Sequence, residues 1–463
     1  MFTRRHPGSP LQVRPLHRTA AAVLRPPERP ARIPEPRGRS GLPTASAGVC
    51  AKNALVDDEP PRPHSLEHQL QVRGDEALEG AALLNGGLVT NPEVVVVGGG
   101  PAGLSAAIAS ARSGFRTLVL ERRNYPVAKP CGEGIMPTGL RHLENLGVLS
   151  TLVRHPHHPF RGIRYLSQFG SVATADFREG PGWGVERTAL SSALRAAASQ
   201  LPDLELQEGV AAKVELSGSR PEIRIRGTVL RPKLLIGADG LHSKIRKLAR
   251  LDRGRSRLQR WGIRQHFAVR PWTEQVEVHW TWGVEAYLTP VSENRVGLAL
   301  LWDRARFRSK QRESPLFPEL LSRFPVLQER LADANPVDEP MAVGPLHQRT
   351  AGPLAPGVLL VGDAAGYFDA ITGEGLSLAF EQAVVLEQTL FPALRSGQAQ
   401  WKTAQTDYLR EYRRLIRNYH LVTRLVLLLR HSPKLTDRVI RTLAAHPDVF
   451  QYLLSANMGL VPP

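Results

Sequence analysis

The sequence predicts an α/β protein: a parallel-sheet domain interrupted by an inserted antiparallel sheet and closed by C-terminal helices. Three observations predict it. An apolar run, Val94-Val95-Val96-Val97, leads straight into Gly98-Gly99-Gly100-Pro101-Ala102-Gly103 and a small-residue helix over 102–113. Strand-like and helical segments then alternate from Asn91 onward, until parts of 257–302 switch to a period of two. The remaining stretch, 401–456, reads as helical, with apolar and basic residues interleaved.

The glycine turn comes first. Gly98 permits a tight turn, Gly100 lets backbone approach a pyrophosphate, and Gly103 lets the helix pack on the strand. The helix start at Pro101 and Ala102 offers N–H groups and partial positive charge to an anion. Arg116 to Leu120 reads as the second strand, ending in Glu121 and Arg122, with the acid placed to accept ribose hydroxyls. Its separation from the turn is close to the roughly 20 residues of a dinucleotide site. The domain is therefore Rossmann-like, and the turn alone leaves NAD and FAD open.

The later elements follow from pattern. Pro137 to Leu149 predicts a short helix closing near Gly147, and Glu186 to Ser199 an Ala-rich amphipathic one. Strands are expected at 204–216, 222–226 and 234–236, the last ending at Gly237-Ala238-Asp239-Gly240. In Gln275 to Trp282 the alternation puts Val276, Val278, Trp280 and Trp282 on one face. That strand pairs with 286–290 and 296–301 in the inserted sheet. Val358 to Val361 is a further buried strand, followed by Gly362-Asp363 and a helix from about Gly375.

Two strand-end acids, Asp239 and Asp363, stand where ligands enter such sheets, although either acid can instead cap a helix. The trio of Gly98-x-Gly100-x-x-Gly103, Gly237-Ala238-Asp239-Gly240 and Gly362-Asp363-Ala364-Ala365-Gly366 resembles the FAD-dependent oxidoreductases of the para-hydroxybenzoate hydroxylase fold. These include aromatic monooxygenases, geranylgeranyl reductases and flavin halogenases. The resemblance spans about 92–395. It implies that Gly98, Gly100 and Gly103 hold the FAD pyrophosphate and Glu121 the adenosine ribose. It also implies that Arg187 touches the cofactor, that backbone at Val210 or Ala211 meets adenine, and that Asp363 reaches the ribityl chain. Gly373-Glu374-Gly375 would bring a helix N-terminus to the flavin ring.

The loop Lys129-Pro130-Cys131-Gly132-Glu133-Gly134 is similar to the flavin loop of geranylgeranyl reductases. Candidate catalytic residues are Cys131, Glu133 and Tyr287, with a Gly-rich hinge around a small buried Cys as the alternative. Trp280 to Glu285 partly matches the halogenase tryptophan signature, with Glu285 in place of its proline. No second dinucleotide fingerprint is visible, so NADPH or NADH would bind transiently as reductant. The expected activity is monooxygenation of an apolar aromatic or polyketide-like substrate. The alternatives are reduction of isoprenoid double bonds, halogenation, or flavin binding without turnover.

Composition narrows the field. The net charge is +17 over 463 residues, but the basic residues are scattered, which favours a solvated basic surface over nucleic-acid binding. Cys50 and Cys131 are the only cysteines, excluding a disulfide framework and a Cys-based zinc site and fitting a reducing, cytoplasmic setting. The cluster His155 to Pro159 reads as an exposed loop, and no metal site is expected. The C-terminal helices are candidates for peripheral membrane contact. Residues 1–91 read as a disordered extension. The nucleotide domain is assigned to 92–150, 181–255 and 345–395, the substrate domain to 151–180 and 256–344, and the closing helices to 396–463.

Overall fold

The computed structural model describes residues 91–216, 220–256, 258–304, 316–396 and 398–461. The extension expected over 1–91, with Cys50, lies outside the described residues apart from Asn91.

A six-stranded sheet runs in the order Leu354–Ala355, Val358–Leu360, Leu234–Gly237, Val94–Val97, Thr117–Leu120, Leu204–Gln207. All neighbours are parallel except the short edge strand Leu354–Ala355. The helix Pro101–Arg112 packs on the sheet's strands, Ile223, Ile225 and Leu230 of a small antiparallel sheet share its core, and Val94 to Val96 are fully buried. The helix Pro101–Arg112 packs against Gly375–Gln388 and Arg187–Ala198. Its alanines and Gly103 allow that close approach.

Four expectations are corrected in detail. The strand expected over 204–216 is two, Leu204–Gln207 and Lys213–Glu215. The break falls at Gly209, whose φ of +67° turns the chain out of the main sheet. The second piece joins Glu222–Ile225 and Thr228–Leu230 in a separate three-stranded sheet. The helix expected to close near Gly147 ends at Asn145, and a one-turn helix, Leu149–Leu152, follows the positive φ of Gly147. The histidine cluster is not wholly loop: His158–Phe160 pairs with Gly182–Gly184, and His157 stacks on Trp183 at 4.2 Å.

The fourth correction concerns the inserted sheet. Its eight strands are mostly antiparallel, but Gln275–Trp280 lies parallel to Gly162–Ser167. Gly162–Ser167 arrives from 151–180, far away in sequence, so no hairpin constrains its direction. Val276, Val278 and Trp280 share a buried face as the alternation predicts, whereas Trp282 does not join them. The strand ends at Trp280, and a turn with Gly283 at φ +83° carries Trp282 into solvent.

Two layers sandwich this sheet. Leu316–Leu321 and Pro325–Arg330 cover one face, with Phe317, Leu320 and Leu327 packed over Ile263, Val284 and Leu288. The long helix Gln398–Leu429 and the helices Pro433–Ala445 and Pro447–Asn457 enclose the other. Leu427, Ile440 and Phe450 pack there with Val276, Val278 and Trp280. No described helix is long and apolar enough to cross a membrane.

Candidate cofactor and substrate site

The turn after Val94–Val97 tolerates only glycine where backbone meets backbone. Gly98 has φ +108°, and a Cβ there would lie 2.3 Å from the Ala238 carbonyl oxygen. A Cβ on Gly103 would lie 1.9 Å from the Gly98 oxygen. Gly100 differs, because a Cβ there would meet only Arg187 Nη2, at 3.7 Å. The helix beyond it has no side-chain cap, and Pro101 occupies its first turn where an N–H is dispensable. Ala102 touches the second loop, since a Cβ on Gly362 would lie 2.5 Å from its methyl.

Glu121 is buried and braces this turn. Its Oε2 accepts the Gly99 N–H at 2.7 Å, and its Oε1 accepts the Arg123 N–H at 3.0 Å. Its remaining lone pairs suit ribose hydroxyls. The Tyr125 hydroxyl donates to the Gly99 carbonyl at 2.6 Å. Val210 donates its N–H to the Glu121 carbonyl, so it has only its own carbonyl to offer adenine. Arg122 is exposed.

Arg187 is the first residue of the helix Arg187–Ala198, and its side chain is buried with no partner for Nε. Burial lowers its pKa, opposed by Cys131, Asp363 and Glu133. Lys129 reaches the same place, with Nζ 3.1 Å from where a Gly240 Cβ would be. Burial pulls the Lys129 amine down while Asp363 holds it up. Burial raises the Asp363 carboxyl against the pull of Lys129, Arg187 and Arg246. An uncapped helix N-terminus, a buried guanidinium with an unused donor and a nearby ammonium make a fitting cradle for a pyrophosphate. Asp363, which no described donor reaches, fits a polyol hydroxyl chain.

Asp239 is engaged differently. Its Oδ1 accepts from the Ser243 hydroxyl at 2.5 Å, and its Oδ2 accepts the Lys244 and Ile245 N–H groups at 2.6 and 3.2 Å. It thereby satisfies the first N–H groups of the short helix Lys244–Leu248 and braces Ser243, the N-cap residue.

The Cys131 loop closes the other end. Glu133, at φ +61°, is buried, and its Oε1 accepts the Arg187 N–H at 2.9 Å. Its Oε2 is 2.6 Å from His266 Nε2, and His266 Nδ1 is 2.9 Å from Asp338 Oδ2. Arg264 pairs with Asp338 and approaches Glu133. Glu133 therefore pins the loop to the nucleotide domain and the inserted sheet together. Burial raises the Cys131 thiol, which accepts the Glu133 N–H at 3.4 Å. The Tyr287 hydroxyl donates to the Ile371 carbonyl at 2.8 Å and is held well above its ordinary value by burial. Both are protonated lining groups at neutral pH.

Gly373, at φ +73°, sets the helix start at Gly375, and a Cβ on it would lie 3.4 Å from Met136 Cε. The turn thus sits against the end of the Cys131 loop. Burial pushes Glu374 between them up to about 8, and Asn457 Nδ2 donates to it at 2.9 Å. That bond ties the last helix to the cofactor turn.

Several residues of the site escaped the sequence argument. Arg246 is fully buried and donates to the carbonyls of Asp363, Ala364 and Leu241 and to Gln348. It fixes the second loop. Gln382 accepts the Gly362 N–H at 2.9 Å and donates to the Leu360 carbonyl. Asp239, Ser243 and Arg246 stand at i, i+4 and i+7, a spacing that could have flagged the first group. Lys129 had no such signal.

Glycine turn, ribose acid, buried arginine and second-loop aspartate together define a dinucleotide-binding flavoprotein. A family model described as FAD binding domain matches residues 91–418, and the chain belongs to that family. It is similar to menaquinone reductase of Mycobacterium tuberculosis (strain ATCC 25618 / H37Rv), 29% identical over 311 residues, 62% of this chain and 74% of that protein. It is also similar to 3-demethoxyubiquinol 3-hydroxylase of Escherichia coli (strain K12), 27% identical over 71% of this chain and 86% of that protein. A solved flavoprotein/dehydrogenase from Cytophaga hutchinsonii shares the fold, with TM-score 0.69, 18% identity and coverage of 81% of this chain and 94% of that one. FAD is the cofactor, and the chain is an FAD-dependent oxidoreductase.

Proposed function

We propose that the protein is an FAD-dependent monooxygenase of an apolar, ring-bearing substrate. The observation that carries this reading is the apolar layer between the inserted sheet and the C-terminal helices. Tyr165, Tyr287, Tyr367 and Phe368 line it, and Met136 and Ile371 extend it to the cofactor turn. Flat aromatic walls suit a flat ring and exclude water. Tyr287 is oriented by the Ile371 carbonyl and serves as a wall of that layer. The likeness to a hydroxylase over most of that protein's length supports the same reading.

Bound FAD supplies the redox chemistry, with NADPH or NADH as the electron donor and dioxygen as the oxidant. One oxygen atom enters the substrate and the other leaves as water. Arg187 and Lys129 would hold the cofactor's phosphates, and the helix start at Gly375 would lend its N–H groups to the redox-active ring. Glu133 keeps the Cys131 loop closed over it.

A second reading is reduction of an isoprenoid double bond, with Cys131, whose Sγ accepts the Glu133 N–H at 3.4 Å in the cofactor loop, as the proton donor. One alkene carbon would take a hydride from reduced FAD and the other a proton from Cys131 Sγ, and the thiolate left would be reprotonated from solvent. The likeness to a protein named a reductase supports a reductive reaction. Turnover in oxygen-18 gas separates the two. Label in the product supports oxygenation, and undiminished anaerobic turnover with NADPH or dithionite overturns it.

A further inference from the structure

One end of the inserted sheet carries apolar side chains that the catalytic reading does not use. Phe169 and Val172 are 57% and 40% exposed at one turn, and Trp282 is 51% exposed at the next. Leu425 and Leu428, near the end of Gln398–Leu429, are 53% and 57% exposed, and Leu435 in the following helix is 43%. These segments adjoin one another. The Trp282 N–H donates to Gln168 Oε1 at 3.3 Å, and the Ser167 hydroxyl donates to Asp437 at 2.6 Å. Gln168, Thr281, Leu429 and Pro433 line one small cleft between them. The six side chains therefore surround a single corner of the molecule, and contiguous exposed apolar surface of this kind marks an interaction site.

The charge around the corner selects the partner. Of the basic residues at this corner, Arg424, Lys434 and Arg438 are exposed, whereas Arg430 is buried against Asp303 and Arg441 pairs with the one acid, Asp437. Asp437 is already bonded to Ser167 and Arg441. Lys434 and Arg438 are exposed and have no ion pair among the described residues. Two copies meeting through this corner would oppose like charges, and an anionic lipid surface would complement them. Trp282 and Phe169 at turn tips suit the headgroup level, with the leucines at the boundary of the acyl region.

We infer that this corner docks on an anionic membrane surface and admits the substrate from the lipid phase. Directly behind it, Trp280, Leu427, Ile440 and Phe450 belong to the same apolar layer that reaches Tyr287 and Ile371 beside the cofactor turn. Those four side chains are buried and packed together, so a lipid-dissolved molecule would have to part them to reach the cofactor without crossing water. The inference rests on the apolar-substrate reading for its route, but the docking itself is read without any substrate.

The test is co-sedimentation of the full FAD-loaded chain with phosphatidylcholine vesicles, with and without phosphatidylglycerol. The chain is expected to sediment with the anionic vesicles and to be released by raised salt. The pair Phe169→Glu and Trp282→Glu is expected to weaken partition at least about tenfold. Lys434→Glu with Arg438→Glu should weaken it on anionic vesicles alone. Val326→Glu changes a side chain 53% exposed on the helix Pro325–Arg330, over the sheet's opposite face, and should bind as the parent does. Flavin absorbance reports that each variant is folded and loaded. Failure of the parent to sediment, or unchanged binding by folded Phe169/Trp282 and Lys434/Arg438 variants, overturns the inference. So does a solution mass, by light scattering, that the corner variants reduce, which would make the corner a contact between copies. Loss of the oxygen-18 result with vesicle binding intact would sink only the oxygenase reading.

Discussion

The nucleotide end and the inserted sheet both bury charge, but they treat it differently. On the sheet, Arg260 is enclosed with Glu285 and Asp369 at 2.9 Å each. Glu133, His266, Arg264 and Asp338 form another paired group. In the cofactor loops, buried Arg187 and half-buried Asp363 have no ion pair among the described residues. Buried charges are normally paired, so unpaired ones mark where a ligand completes the structure. The contrast supports the proposal that Arg187 and Asp363 hold the cofactor, whereas the paired groups hold the protein together.

The largest expected effect is at the turn itself. Gly103→Val would force backbone apart at the Gly98 oxygen, so the purified variant should lack the flavin band near 450 nm altogether. A flavin-replete variant would break the comparison at its first step.

Arg260→Met should act on stability instead. It leaves Glu285 and Asp369 buried without their cation, a loss of about 3–5 kcal/mol in urea unfolding. Replacing all three by apolar residues should recover most of it, which would show the triad is structural.

His266 sharpens the same point through pH. Burial alone would lower its pKa, but the hydrogen bond and charge of Glu133, helped by Asp338 and opposed by Arg264, leave it raised. A raised folded pKa stabilises fully below the unfolded value of about 6.5, and that stabilisation is lost as pH rises through the folded value. The melting temperature should therefore fall over that interval, and His266→Gln should flatten the fall while costing about 1–3 kcal/mol.

Asp239→Ala is the smallest change. Removing a helix cap costs about 1 kcal/mol. FAD affinity should stay within roughly a factor of three, because both carboxylate oxygens face the protein. A large affinity loss would return Asp239 to the cofactor.

What was legible in the sequence follows the same division. The glycine turn, Glu121 and the start of the helix at Gly375 were readable from local pattern and spacing, whereas Arg187 was reached only through the resemblance to the flavoprotein family. Glu133 was visible as part of a loop, but its partner His266 is 133 residues away, beyond any spacing rule. Arg246 and Gln348, 102 residues apart, are hidden for the same reason. Trp282 continued an alternation that the turn at Gly283 had already ended, so period counting buried a side chain that the fold exposes. Lys129 looked like one more basic residue until the fold brought it beside Gly240.

The central claim is that Arg187 is a cofactor residue because its buried charge is unfinished without one. Titration of deflavinated protein with FAD, followed by quenching of flavin fluorescence, tests it on the parent, Arg187→Met and Asp239→Ala. The account predicts a dissociation constant raised roughly 10- to 100-fold by Arg187→Met, the worth of a hydrogen bond to a charged group. It predicts little change for Asp239→Ala. Equal affinity for parent and Arg187→Met would contradict it.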